Sequence, residues 1–402
     1  MGGVANKATA HGGHGLVGRA SVGQSFSARH NSLNLLRLVL ALLVVLSHDR
    51  ELGGYSSEYI LGNNKTTLGT LAVYGFFGIS GYLIAASASR NGIWRYLWQR
   101  FLRIFPAFWV CLFVTAGFFG IIGWYHAHSH CGISCYLHAP LGPVDYVLRN
   151  SWLRLNQHAI AGTPKGVPLP GTWDGSLWTL FYEFLCYLVL GVLAMTTLLR
   201  HRWVVAALTA AVWVAEIVIT SVPNLNAQFN LFRNWDASVM LALLPVFLAG
   251  SLIYLYRDKI PDSGAIALAC VALVLISLAV PLGNKFPGLT LTSTNLFAPA
   301  LGYLMLWLGI HLPFQRVGAR NDYSYGTYIY AYPVAQLLAL WGVYRWGYPA
   351  FTALTILLTA PFAVASWWLI EKRALRLKHV TLRSLTNPLT SERQESVPAL
   401  GE

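Results

Sequence analysis

The sequence predicts an all-α fold: a polytopic transmembrane helical bundle of about ten spans, with both termini cytoplasmic. Three observations carry this. Hydrophobic residues are 55% of the 402 and charged residues only 11%, at a mean hydropathy of +0.52, which is more apolar surface than a soluble core of this length hides. Apolar runs of roughly 17–25 residues, the length that crosses a bilayer as a helix, recur along the chain. With the N-terminus placed inside, 19 of the 28 Lys and Arg residues fall on the inner side, the bias expected of cytoplasmic loops. That distribution also argues that the net charge of +13 is membrane topology rather than a nucleic-acid surface.

Residues 1–30 are rich in Gly, Ser, Ala and His and lack acids, and read as a disordered cytoplasmic tail without a removable signal peptide. The membrane domain is expected over 31–376. Its spans lie near 33–50, 68–88, 104–123, 177–198, 202–222, 238–256, 264–282, 295–312, 324–342 and 349–370. Between the second and third lies a basic inner segment with Arg90, Arg95, Arg100 and Arg103. Between the third and fourth runs the longest outward loop, 124–177. Residues 377–402 form a second cytoplasmic tail, and no further soluble domain or internal repeat is visible.

Ionisable residues inside apolar runs mark reaction centres or pathways, because each is expensive to bury there. Arg37 and His48 both lie in the first span. Eleven helical residues turn about 1,100°, a net rotation of about 20°, so the two share one face about 16 Å apart. The plain alternative is a snorkelling arginine and a hydrogen-bonded histidine. Arg100 and Arg103, three apart, project from one helix face and suit a phosphate-bearing ligand, or simply anchor the inner boundary. Glu183 opens the fourth span among aromatics and needs a partner, either an arginine or His48. Asp49 points about 100° from His48 and is a poorer orienter. Ser80 and Gly81 permit close approach of a helix or an acyl chain.

In the outward loop, His126, His128, His130, Cys131, Cys135 and His138 match no standard zinc spacing, so no metal is assigned. Cys131 and Cys135 are either a small disulfide ring or two thiols, and Cys111, Cys186 and Cys270 read as small packing residues. Trp152, Trp173 and Trp178 are available to stack on sugar rings or to anchor the interface.

Five segments in order resemble the acyltransferase-3 family of integral membrane acyltransferases, which includes bacterial O-antigen and Nod-factor O-acetyltransferases. They are Arg37 with His48, Phe76-Phe77-Gly-Ile-Ser80-Gly81-Tyr82-Leu-Ile84, Arg100-Phe-Leu-Arg103-Ile-Phe-Pro106, Ser176-Leu-Trp178-Thr-Leu-Phe-Tyr182-Glu183 and Asp322-Tyr-Ser-Tyr325-Gly-Thr-Tyr328-Ile-Tyr-Ala331-Tyr332-Pro333. Two departures stand out: Ala331 where many members have histidine, and Glu371-Lys-Arg-Ala374 without the family's proline. The resemblance implies transfer of an acyl group, commonly acetyl from acetyl-CoA, to a hydroxyl of a carbohydrate or lipid-linked acceptor. The enzyme would lie in a bacterial inner membrane and hold no bound cofactor, with acyl-CoA as a substrate. Arg100 and Arg103 are then the candidate CoA-binding residues. His48 is the candidate general base, with transient acylation of its ring as a variant, and Arg37 and Glu183 support the site. From other classes, a proton-coupled secondary transporter would use the same three intramembrane residues, and a scaffold would need none of these motifs.

Overall fold

The computed structural model describes residues 20–56, 66–128, 131–221, 235–279 and 298–379. The tail 1–19, His130 and the tail 380–402 lie outside the described residues. Among the described residues, ten helices of fourteen residues or more carry the fold: α1 (Leu33–Leu52), α2 (Leu68–Ala88), α3 (Ile93–Val114), α4 (Thr179–Met195), α5 (Arg202–Ser221), α6 (Trp235–Leu255), α7 (Gly264–Ala279), α8 (Ala298–His311), α9 (Ser324–Leu340) and α10 (Tyr348–Ser366). No strand occurs among the described residues, only two isolated bridges. Among the described residues, four helical stretches are fit to cross a bilayer by length and composition: Leu68–Ala88, Ile93–Ala127, Asp236–Leu255 and Tyr348–Arg376. Shorter apolar helices cover Thr179–Met195, Gly264–Ile276 and Ala298–His311.

Helix α3 begins well before the expected span at 104, because the basic segment from Ile93 continues the same helix. It then passes through a wide turn at Thr115–Phe119 into Gly120–Ala127. A similar wide turn, Trp367–Glu371, extends α10 into Lys372–Arg376. Such π-type turns rotate the residues that follow and tend to mark functional positions. Here the second one carries Glu371, 2% exposed, into the bundle.

Helix α1 is central and packs against α2, α8, α9 and α10. The closest crossing joins α2 and α6 through glycines. A Cβ on Gly81 would sit 1.9 Å from the Phe247 carbonyl oxygen, and one on Gly250 2.1 Å from that of Gly78. The Ser251 hydroxyl donates to the Gly81 carbonyl across the same contact. In a bilayer, where lipid supplies no hydrophobic drive between helices, this backbone proximity is what holds such a pair. It assigns Gly81 to helix packing. The exposed large residues, among them Phe113, Phe118, Val192, Leu268, Leu357 and Leu369, sit on the outward faces of the long helices, as lipid contact requires.

The segment 131–178 is not an irregular loop but an ordered cap. Asn150 and Gln157, both buried, fasten it: Asn150 donates to the Gln157 carbonyl, and Gln157 to those of Leu141 and Ala159. Cys131 and Cys135 are disulfide-bonded, and Cys111, Cys186 and Cys270 are buried free thiols.

Candidate active site

Arg37 and His48 sit on α1 at two levels of the bundle. At the Arg37 level, Arg37 Nη1 donates to Asp322 Oδ2 at 2.6 Å, and Arg103 Nη2 reaches the same oxygen from α3 at 2.5 Å. The other oxygen of Asp322 accepts from the backbone and hydroxyl of Ser324, at the start of α9. Arg103 Nη1 also lies 3.4 Å from Glu371 Oε2, and Ser366 donates to Glu371 Oε1. Two guanidinium groups and two carboxylates thus neutralise one another where no single charge would be tolerated. Arg100 stands apart from this cluster. Its guanidinium lies over the Tyr187 ring at 5.9 Å, and its buried Nε has no hydrogen-bond partner. Glu183 accepts from Ser80 at 3.0 Å and from Tyr187 at 2.5 Å.

At the other level, the His48 ring meets Tyr332 edge-on, centroids 5.3 Å apart. Gly175 backs onto that tyrosine, where an added Cβ would lie 2.7 Å from the ring. Tyr328 donates to the Ser176 carbonyl and shares a 2.5 Å hydrogen bond with Thr179. The cap closes over this end: fully buried Gln336 donates to the carbonyls of Leu169 and Thr172. Beside it lies Asp174, fully buried, accepting from the Ser176 backbone and hydroxyl. Burial pushes the Asp174 carboxyl up to about 8, with the Ser176 hydrogen bonds pulling the other way.

Three separate cavities lie between the two levels. The widest, about 350 Å³, is lined by Arg37, Ser80, Gln99, Arg100, Arg103 and Lys378 among others. The next, about 40 Å³, shares Arg37 with it and reaches Glu183 and Tyr328. The last, about 10 Å³, shares Tyr328 and holds His48, Asp49, Ser176 and Tyr332. The cavities thus fall in volume from a cationic chamber to the imidazole.

A family model described as an acyltransferase domain matches residues 30–368. The chain belongs to this acyltransferase-3 family. It is also 31% identical, over 359 residues, to an O-acetyl transferase of Shigella phage Sf6, covering 86% of this chain and 96% of the relative. No solved structure matches it. The protein is thus an acyltransferase, and the relative supports O-acetyl transfer.

In this acyltransferase, Arg100 and Arg103, the expected CoA-binding pair, line one chamber together with Arg37, which was expected to support the site. They are not equivalent, because Arg103 is committed to Asp322 and Glu371 while Arg100 keeps unused donor capacity. Glu183 does not meet His48. Its hydrogen bonds run to Ser80 and Tyr187, and it lines the middle cavity. Trp173 is withdrawn from any sugar-stacking role, being fully buried with its indole N–H donating to Thr163, whereas Trp152 is 79% exposed. Cys131 and Cys135, bonded to each other, are not metal ligands. Asp322 and Glu371, quoted above only as parts of motifs, are the carboxylates that organise the arginines. The signal available for both was an acidic residue bordering an apolar run, which demands a cation.

Proposed function

We propose that this acyltransferase moves an acetyl group from cytoplasmic acetyl-CoA to a hydroxyl of a carbohydrate or lipid-linked acceptor on the far side of a bacterial inner membrane. The observation that carries the reading is the series of cavities, falling in volume and sharing Arg37 and Tyr328 as walls, from the Arg100 chamber to His48. Arg100 and Lys378, with Arg103 and Arg37 behind them, offer the charge-assisted donors that phosphates take. A slim arm threading past Arg37 and Glu183 would bring a thioester to the level of His48. His48 then accepts the proton of the acceptor hydroxyl as the oxygen attacks the thioester carbon, and returns it to the departing thiolate. Ten spans with both termini cytoplasmic put the Arg100 chamber on the side where acyl-CoA is made. The Lys and Arg distribution supports that orientation.

The test is thiol release from acetyl-CoA by the purified protein in detergent, with and without a cell-envelope extract. Replacing His48 by Ala is expected to lower acceptor-dependent release by about 10²–10⁴-fold, the usual contribution of a general base. A folded His48→Ala protein working at the native rate would refute the assignment.

A further inference from the structure

Asp49 follows His48 in the sequence and is 1% exposed on α1. Its Oδ2 has no hydrogen-bond partner, and among the described residues no Lys or Arg forms an ion pair with it. A buried carboxylate with no ion-pair partner and one oxygen unsatisfied, its hydrogen bonds coming only from the Thr352 and Thr355 hydroxyls, is costly and calls for an explanation. Adjacent helical side chains diverge by about 100°, which keeps carboxylate and imidazole from direct contact. Yet both line the same cavity of about 10 Å³, and Tyr332 and Tyr328 of α9 and Ser176 of the cap line it with them. That volume holds about one water molecule, and this wall supplies the two to four polar partners a buried water needs.

We propose that Asp49 is a positioning residue for the transfer, orienting His48 through one water in their shared cavity and offsetting the positive charge that His48 gains. The proposal rests on His48 being the general base. In the step, the acceptor O–H bond breaks and its proton goes to the imidazole. The new C–O bond forms as the C–S bond breaks with its electron pair on sulfur, and the imidazolium proton passes to that sulfur, leaving an ester and a thiol. Asp49 is unchanged at the end. While the imidazolium exists, it is the cation that the carboxylate otherwise lacks.

The groups facing the pair are few. Helix α10 presents the Thr352 and Thr355 hydroxyls. Helix α9 presents Tyr328 and Tyr332, and the cap presents Ser176, with Asp174 beside it. Tyr55 faces Asp49 from beyond the end of α1. On α1 itself Arg50 lies over the Tyr348 ring, and Glu51 is exposed. Thr355 already donates to the Phe351 carbonyl, whereas the Thr352 hydroxyl serves the Asp49 carboxylate.

The experiment measures kcat and KM for acetyl-CoA against pH with the full chain and envelope extract, for wild type, Asp49→Asn, Thr352→Val and His48→Ala. Asp49→Asn is expected to lower kcat about tenfold and move the acid limb of the profile about one unit toward lower pH, with KM for acetyl-CoA unchanged. A role in folding alone would lower yield and leave the limb in place. Thr352→Val is expected to move the limb the same way by less, and serves as the reading if the Asn protein does not fold. An unmoved limb in the folded Asn variant, or in Thr352→Val where the Asn protein is not recovered, overturns the proposal. Full activity in His48→Ala overturns it together with the general-base assignment, and is distinguishable from an unmoved limb.

Discussion

Replacing Asp322 by Asn tests whether the buried charge cluster sets the stability of the bundle. Asp322 Oδ2 is the common acceptor of Arg37 and Arg103, and the three side chains are only 20%, 10% and 16% exposed for Arg37, Asp322 and Arg103. Asn keeps the oxygen that caps Ser324 but removes the charge, leaving two guanidinium groups facing each other. Removing one partner of a buried pair costs about 3–5 kcal/mol. Glu371 still serves Arg103 at 3.4 Å. The expected loss is therefore at the low end, about 3 kcal/mol. Reversible unfolding in mixed micelles reads it directly. Because the pairs are buried, the loss should be nearly the same at low and high salt. Adding Arg37→Gln to Asp322→Asn should recover part of it, giving a coupling of about 1 kcal/mol or more. A loss below about 0.5 kcal/mol, or strict additivity in the double variant, would refute the reasoning.

Two further outcomes follow from the same geometry. Arg100→Gln, which breaks no ion pair described here, should raise KM for acetyl-CoA about tenfold or more while leaving thermal unfolding unchanged; equal losses of stability in Arg100 and Arg103 variants would contradict the division of labour between them. Asp174 carries a carboxyl raised by burial to about 8, above its unfolded value of about 4, so the folded state holds the proton between these limits and stability falls as pH rises through them. Asp174→Asn should then be more stable than wild type at pH 9, by on the order of 1–3 kcal/mol, with the gap closing toward pH 4. Parallel stability curves for the two proteins would exclude this.

Much of the architecture was legible because apolar runs and helix length answer to the same bilayer thickness. Among the described residues each expected span carries a helix, and the eleven-residue spacing puts Arg37 and His48 at two levels of α1. What periodicity could not report is pairing across the bundle. Asp322 is 285 residues from Arg37 and 219 from Arg103, and Glu371 reaches Arg103 over 268. Such contacts are fixed by how helices cross, not by local pattern. Glu183 was misjudged for the same reason, since the hydroxyls that satisfy it come from α2 and its own helix rather than α1. The order of 131–178 was hidden because its carbonyls are satisfied by buried amides: Asn150 and Gln157, which in sequence resemble ordinary loop residues, and Gln336, which reaches over from the distant α9.

The fall from about 350 to 40 to 10 Å³ bears on what the proposed transfer would let travel. In that transfer, the nucleotide end of the donor would stay in the first chamber while its thioester meets the acceptor hydroxyl at the level of His48, so neither substrate as a whole would have to be carried through the bilayer. Under the proposed chemistry, the cargo that changes sides is a two-carbon fragment. The protein would then be a bulkhead with a bore sized for the bond being exchanged, keeping its carrier at home without a rocking cycle.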